Sequence, residues 1–431
     1  VTAGLGARRS ALGFLLVVLA ATAGAQSDSS WRQVSAAGDS ARLRGDWKSY
    51  QRYAGILYKE LNGHPGTILA QARAAAQLRD TAMAMRWLKM YAATGLVRDM
   101  DADSLLAPVR SGPGWKELLA RIAKNREAVG KPTVAFTAPD SEFVSEDIAY
   151  DSATKRFFLS SIRERKIAVW QNGKFSDFVA EARDSIWAVL GIDAEPRRGA
   201  LWATTAGMPE TRALAVDDSG SSAVMRYDLK TGALQKRYDM PDDSSDHVLG
   251  DMALGRNGDV YVSDAISGAF YTIRADRDSL VMLVRPGTLA SPQQPVATPD
   301  GKRIFVADYI RGIAIVERAT GKVSWLANDA HAALNGTDGL TIVGHSLIAI
   351  QNGVSPQRVI RLDLDNAMTK IVRWSTLAAN LPQLKEPTHG VQVGDKFYFI
   401  ATSGWDRFDP DGTIPKGAVL ERPVVMVLDI K

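Results

Sequence analysis

Residues 146–170 read EDIAYDSATKRFFLSSIRERKIAVW: an acidic pair, an apolar run, a polar turn, an aromatic-rich run, a second turn and a third apolar run. Each run is of strand length and too short for a helix. The cassette recurs at 250–273 (GDMALGRNGDVYVSDAISGAFYTI), 293–317 (QQPVATPDGKRIFVADYIRGIAIVE), 338–365 (DGLTIVGHSLIAIQNGVSPQRVIRLDLD) and 388–405 (THGVQVGDKFYFIATSGW). A weaker copy, AVLGIDAEPRRGALWATT, occupies 188–205, so the starts at 146, 188, 250, 293, 338 and 388 lie 42, 62, 43, 45 and 50 residues apart. A recurring all-β unit of that length is a propeller blade. The sequence therefore predicts a mainly β fold, a six-bladed β-propeller over 133–431, with a smaller N-terminal all-α domain.

The two ends of the β region predict how the ring closes. Thr133-Val134-Ala135-Phe136 precedes the first cassette, and Val424 to Ile430 forms a lone strand after the last. Pairing these termini in one blade removes two exposed sheet edges. The expectation is that 133–137 is the outermost strand of the last blade, beside 424–430.

Upstream, apolar and small residues recur at helical spacing from Trp31 to about Val129. The run Ala41-x3-Gly45-Asp46-Trp47-x2-Tyr50, followed by Pro65, resembles a tetratricopeptide repeat, with a plain pair of helical hairpins as the alternative. Stacked helix pairs of this kind dock peptides or proteins, so the 31–129 segment implies a protein partner. At the N-terminus, Arg8-Arg9, the apolar stretch Ala11 to Ala21 and Ala23-Gly24-Ala25 read as a secretory signal peptide (1–25) cleaved before Gln26. The expectation is a bacterial periplasmic or secreted protein with no membrane span after cleavage.

Bulk properties exclude several classes. The 431 residues are 46% hydrophobic and 23% charged with a net charge of +4, and no dense basic stripe points to nucleic acid. The chain contains no cysteine, which removes disulfides, thiolate zinc sites and thiol catalysis. Gly344-His345-Ser346 begins like a nucleophile elbow, but position 348 is Ile and the flanks predict strand–turn–strand.

Aligning the cassettes on the residue that opens each inner strand gives a ring of Glu146, Ala188, Gly250, Gln293, Asp338 and Thr388. The next positions are Asp147, Val189, Asp251, Gln294, Gly339 and His389. Carboxylates, an amide and a histidine around one channel mouth suit a hard divalent cation such as Ca²⁺. An unpaired carboxylate at Glu146 would be costly in a narrow channel, so it needs a cation or a donor, for which Arg163 and Arg311 are candidates. Asp338-Gly339 also reads as an ordinary turn at a strand entrance. Loops on the same face carry Arg163, Tyr309, Arg311, Asn352 and Trp405, which with Asp147 frame a pocket for a small polar ligand. Tyr309 and Trp405 equally fit a role as caps on the barrel end.

These inner-strand openings resemble the senescence-marker/gluconolactonase/luciferin-regenerating family of six-bladed propellers, akin to calcium-dependent phosphotriesterases. Glu146 in SEDIAYD and Asp338 in TDGLTI stand where that family has its metal-binding Glu and Asp. Gln293, in SPQQPVATPDGK, stands at one family Asn, and Gly250, followed by Asp251, at the other. The resemblance implies a metal site of Glu146, Gln293 and Asp338, with Asp251 or His389 moving the proton in lactone or ester hydrolysis. The alternative is a non-catalytic propeller that binds a ligand or protein while the helices dock a partner.

Overall fold

The computed structural model describes residues 30–241, 245–409 and 411–431. The expected signal segment and residues 242–244 lie outside them. Six four-stranded antiparallel sheets are present, and five use strands in sequence order from the axis outward. Their inner strands are Ile148–Asp151, Ala188–Glu195, Leu249–Leu254, Pro292–Ala297 and Thr337–Val343. These define blades one to five. Blade six runs Gly390–Val393, Lys396–Thr402, Val424–Asp429 and then Thr133–Thr137 at the rim. Val134 pairs with Met426 and Thr133 with Val427, so the two termini close the ring as the lone strands predicted.

Apolar clusters glue each sheet to the next. Between blades one and two lie Phe158, Phe178, Ile192 and Tyr227; between blades six and one, Phe136 stacks on Trp170 with ring centroids 4.5 Å apart. Polar latches at the axis reinforce them. Asp147 Oδ2 accepts the Ile192 N–H at 2.8 Å, Asp193 Oδ2 the Leu254 N–H at 3.1 Å, and Gln294 Oε1 the Leu340 N–H at 2.7 Å. Each joins one inner strand to a neighbouring blade and satisfies a buried donor that sheet pairing leaves over. The turn residues behave as their chemistry dictates: Asp151 accepts from Ala153 N and Thr154 Oγ1, and Asp300 from Lys302 N and Thr298 Oγ1.

Among the described residues, five α-helices precede the propeller: α1 (Ser30–Leu43), α2 (Trp47–Glu60), α3 (Pro65–Gln77), α4 (Thr81–Ala93) and α5 (Trp115–Lys124). Asp46 caps α2 through Ser49 N, Asp80 caps α4 through Met83 N, and Pro65 opens α3 where no N–H is needed. Small residues on α3 (Ala72, Ala75, Ala76) let α4 approach closely, and Leu88, Leu106 and Ile122 complete the helical core. Ala333 of the propeller belongs to that core. The helices thus rest on the blade-four and blade-five edge: Asn62 Nδ2 donates to Leu326 O, Val97 N to Ser355 O, and Asn380 Nδ2 to Asn125 O. Among the described residues, no helix is long and apolar enough to cross a membrane.

Candidate functional site

The axial site is built by irregular backbone where the inner strands begin. In blades two to five the pairing of the inner strand with its neighbour slips, between Val189 and Ile192, Leu249 and Met252, Pro292 and Pro295, and Thr337 and Leu340. A bulge frees residues from the ladder and re-aims their side chains. Asp251, Gln294 and Asp338 all sit in such bulges. Glu146-Asp147 and Thr388-His389 lie just before the inner strands of blades one and six, where Asp147 O and His389 O accept from Ser160 N and Ile400 N of the second strands.

The result is a buried imidazole surrounded by carboxylates. His389 is fully buried, and its Nε2 lies 3.3 Å from Asp251 Oδ1, 3.6 Å from Asp338 Oδ1 and 3.9 Å from Glu146 Oε1. Its Nδ1 lies 3.3 Å from Asp147 Oδ1. None of these approaches is an aligned hydrogen bond. The carboxylates are held from behind. Trp405 Nε1 donates to Glu146 Oε2, and Asn352 Nδ2 donates to Asp338 Oδ2 at 2.5 Å. Tyr309 Oη in turn donates to Asn352 Oδ1 at 2.9 Å, which sets the orientation of that amide. Asp147 spends one oxygen on Ile192 N and the other on Ile148 N.

Burial dominates the electrostatics. It raises the Glu146 carboxyl well above its usual range, helped by Asp338 and Asp251 and opposed by His389 and Trp405. Asp251 is pushed up to about 7 by burial, with Asp338 and Asp147 adding to the effect and His389 opposing it. Burial pulls the His389 imidazole down, but Asp251 and Asp147 outweigh it and hold the ring well above its ordinary pKa. Four carboxyl groups thus surround one imidazole, and burial together with their mutual repulsion pushes Glu146 and Asp251 toward their neutral forms.

The structure gathers Glu146, Asp147, Asp251, Asp338 and His389 at the axis, with Asn352, Tyr309 and Trp405 behind them. Three expected residues fall elsewhere. Gln293 is half-buried and turns back to Ser291, with Nε2 3.3 Å from its hydroxyl, while the neighbouring Gln294 points inward as a latch. The bulge at 292–295 has shifted which glutamine faces the axis. Arg163 pairs with Glu142 at 2.7 Å, and Arg311 lies over the Trp325 ring at 4.3 Å. The donor for Glu146 is therefore the Trp405 indole and not either arginine.

Two features escaped the sequence reading. Gly250, next to Asp251 in the blade-three bulge, has nothing within 4 Å of where a Cβ would stand. Glu386 lies in the loop before blade six, where burial, Asp406 and Asp338 raise its carboxyl to about 7. It lies outside every cassette, and no spacing rule singles it out.

No protein-family model matches the sequence, and no curated protein does. Among solved structures, the chain is similar to the PQQ-bound aldose sugar dehydrogenase of Streptomyces coelicolor, with 14% identity, coverage of 70% of this chain and 98% of that one, and a TM-score of 0.48. A putative gluconolactonase matches with 15% identity, 70% and 92% coverage and a TM-score of 0.45. A luciferin-regenerating enzyme matches with 14% identity, 69% and 95% coverage and a TM-score of 0.45. These likenesses are of fold.

Proposed function

We propose that the propeller is a divalent-cation-dependent hydrolase of a small lactone or ester, with the cation held by Glu146, Asp251, Asp338 and His389. The observation that carries this reading is the spacing around His389 Nε2. Carboxylate oxygens at 3.3, 3.6 and 3.9 Å are too distant and too poorly aligned for charge-assisted hydrogen bonds, which close to about 2.8 Å. They match the edges of a coordination shell with metal–ligand distances of about 2.1 Å, which are roughly 3.4 Å in a tetrahedron. Glu146, Asp251 and His389 offer ligand atoms that all lie within 4.8 Å of one another. An imidazole among carboxylates suits Zn²⁺, Mn²⁺ or Fe²⁺ better than the Ca²⁺ expected from the resemblance.

When bound, such a cation supplies Lewis-acid polarisation of a carbonyl. The chain's own residues supply the rest. Trp405 and Asn352 orient Glu146 and Asp338 as outer-shell partners. The space before Gly250 leaves room for a substrate oxygen. Asp251 and His389, first assigned to the proton, are ligands in this reading. Glu386, with its carboxyl near 7, is the group fitted to accept and return a proton.

Elemental analysis of the purified protein, with Mn²⁺ and Zn²⁺ titration followed by melting, tests the reading in wild type and Asp338→Ala. A stoichiometric metal, or a melting rise lost in the variant, supports it, and lactone and ester turnover must then follow the metal content. A metal-free protein that ignores both ions overturns it.

One observation favours a second reading, a non-catalytic binding propeller with its helices docking a protein partner. The site is closed, with Glu146 only 7% and Asp251 and Asp338 each 4% exposed. The imidazolium of His389 would then be the built-in cation of a structural clasp. Under either reading we place the mature chain outside the cytoplasm, which N-terminal sequencing of the exported protein tests by finding Gln26 first.

A further inference from the structure

The most unusual buried group outside the axial cluster is Arg358, at the start of blade five's third strand. It is 1% exposed and has no carboxylate at ion-pair distance among the described residues. Its Nε donates to Gln351 Oε1 and its Nη1 to Thr94 O, the carbonyl of the residue that ends α4, both at 2.8 Å. Its guanidinium lies over Trp374, 5.3 Å from the ring centroid. A helix C-terminus carries partial negative charge, so α4 supplies part of the compensation that a carboxylate would give. A buried cation held this way is costly to keep and sensitive to displacement.

What Arg358 holds leads to the axis. Gln351 passes its amide to Ala333 O and Asn335 O at 2.9 Å and to Thr337 Oγ1 at 3.3 Å, directly before Asp338. The loop 352–357 joins Gln351 to Arg358. Its first residue, Asn352, donates to Asp338, and its Ser355 carbonyl accepts the Val97 N–H of the helical region at 2.7 Å. Gln357, the last residue, accepts the Glu386 N–H at 2.7 Å. The helices thus hold the segment that carries the partner of Asp338 at its middle, through Ser355, and at its far end, through Arg358.

We infer that the helical layer is part of the axial site: through Arg358 and the 352–357 loop it positions Asp338, so a change in the helices alters the ring. Arg358 is a positioning residue and touches no ligand. The inference rests on the proposed cation reading only where a cation is measured.

Three full-length variants test it. Gly95→Ala changes a residue of the helical side at its contact with the propeller: the added Cβ would stand 2.9 Å from Arg358 Nη1 and 3.1 Å from the Trp374 ring, on left-handed backbone with φ +76. Arg358→Met keeps side-chain volume and removes the charge and both hydrogen bonds. Amide exchange is followed in peptides covering 335–341 and 352–357, with 222–228 of blade two as reference, and Mn²⁺ binding is titrated in parallel. The expected result is exchange at least about tenfold faster in both ring peptides, with blade two unchanged. Mn²⁺ affinity should fall roughly 10- to 100-fold, as for loss of an outer-shell partner. Arg358→Lys, which keeps the charge and one hydrogen bond, should recover part of both. Wild-type exchange at 335–341 in Gly95→Ala, with changes confined to the helices, overturns the inference. Should Arg358→Met fail to fold, Gly95→Ala decides alone. Should wild type bind no Mn²⁺, the cation reading falls and the exchange result still decides the coupling.

Discussion

Gly339 in blade five lies directly against the backbone of Thr388 and His389 in blade six, so close that a Cβ would overlap the Thr388 carbonyl and stand 3.2 Å from His389 Cα. The Asp-Gly pair is therefore a packing contact at the axis and not a turn. It lets the backbone that carries His389 reach Asp338. Gly339→Ala must push backbone, which cannot rotate away as a side chain would. Overpacking of this kind costs about 1–3 kcal/mol. Chemical denaturation should show a loss in that range, whereas Gly301→Ala, with nothing within 4 Å of its Cβ position, should cost only the strain of its left-handed backbone.

Gly250 shows the opposite relationship, since a side chain there would enter open space. Its backbone is not left-handed, so a larger residue meets no conformational penalty. Gly250→Asn should place an amide oxygen beside Asp251 and tighten cation binding. Titration of both proteins with Mn²⁺ and Ca²⁺ checks this. The variant should gain most for Ca²⁺, which favours more oxygen ligands.

Cation binding should appear as stability. A ligand at a hundred times its Kd stabilises the folded state by about 2.7 kcal/mol. A rise of that order is expected for wild type in Mn²⁺ or Zn²⁺, with none for Asp338→Ala or His389→Ala. Asn352→Ala should keep a reduced rise, because it removes an orienting partner and leaves every ligand in place.

The cation-free protein should lose stability as the pH rises. His389 has a folded pKa above its unfolded value, so its contribution is present below the ordinary histidine range and is lost as the pH rises through the folded value. Glu146 and Asp251 are also raised, Asp251 to about 7, so they favour the folded state most when protonated and progressively less above the ordinary carboxylate range. All three slopes have one sign. Melting in chelator should fall between pH 5 and pH 8, and His389→Gln with Asp251→Asn should flatten the trend. A rise in stability over that interval would contradict the assigned charge states.

Much of this molecule was legible because propellers repeat. Strand-length apolar runs separated by turn residues marked all six blades, and the unpaired termini marked the closure of the ring between 133–137 and 424–429. Glu146, Asp251, Asp338 and His389 were found as positions of one alignment, since equivalent blade positions must share the axis. Gln293 was misplaced by one residue because bulges are not written in periodicity: the slip between Pro292 and Pro295 turns Gln294 inward instead. Arg163 and Arg311 sit on loops that sequence places at the face of Glu146, yet side-chain direction takes them to Glu142 and Trp325.

The sequence by itself determined the blade count, the closure and the residue types that ring the channel, because local pattern and symmetry suffice for those. Only the tertiary structure decided that His389 stands among the carboxylates, that Trp405 and Asn352 hold Glu146 and Asp338, and that Arg358 ties blade five to α4. Those contacts join residues far apart in the chain through side-chain direction and backbone irregularity, which packing of the whole ring sets and no local pattern records.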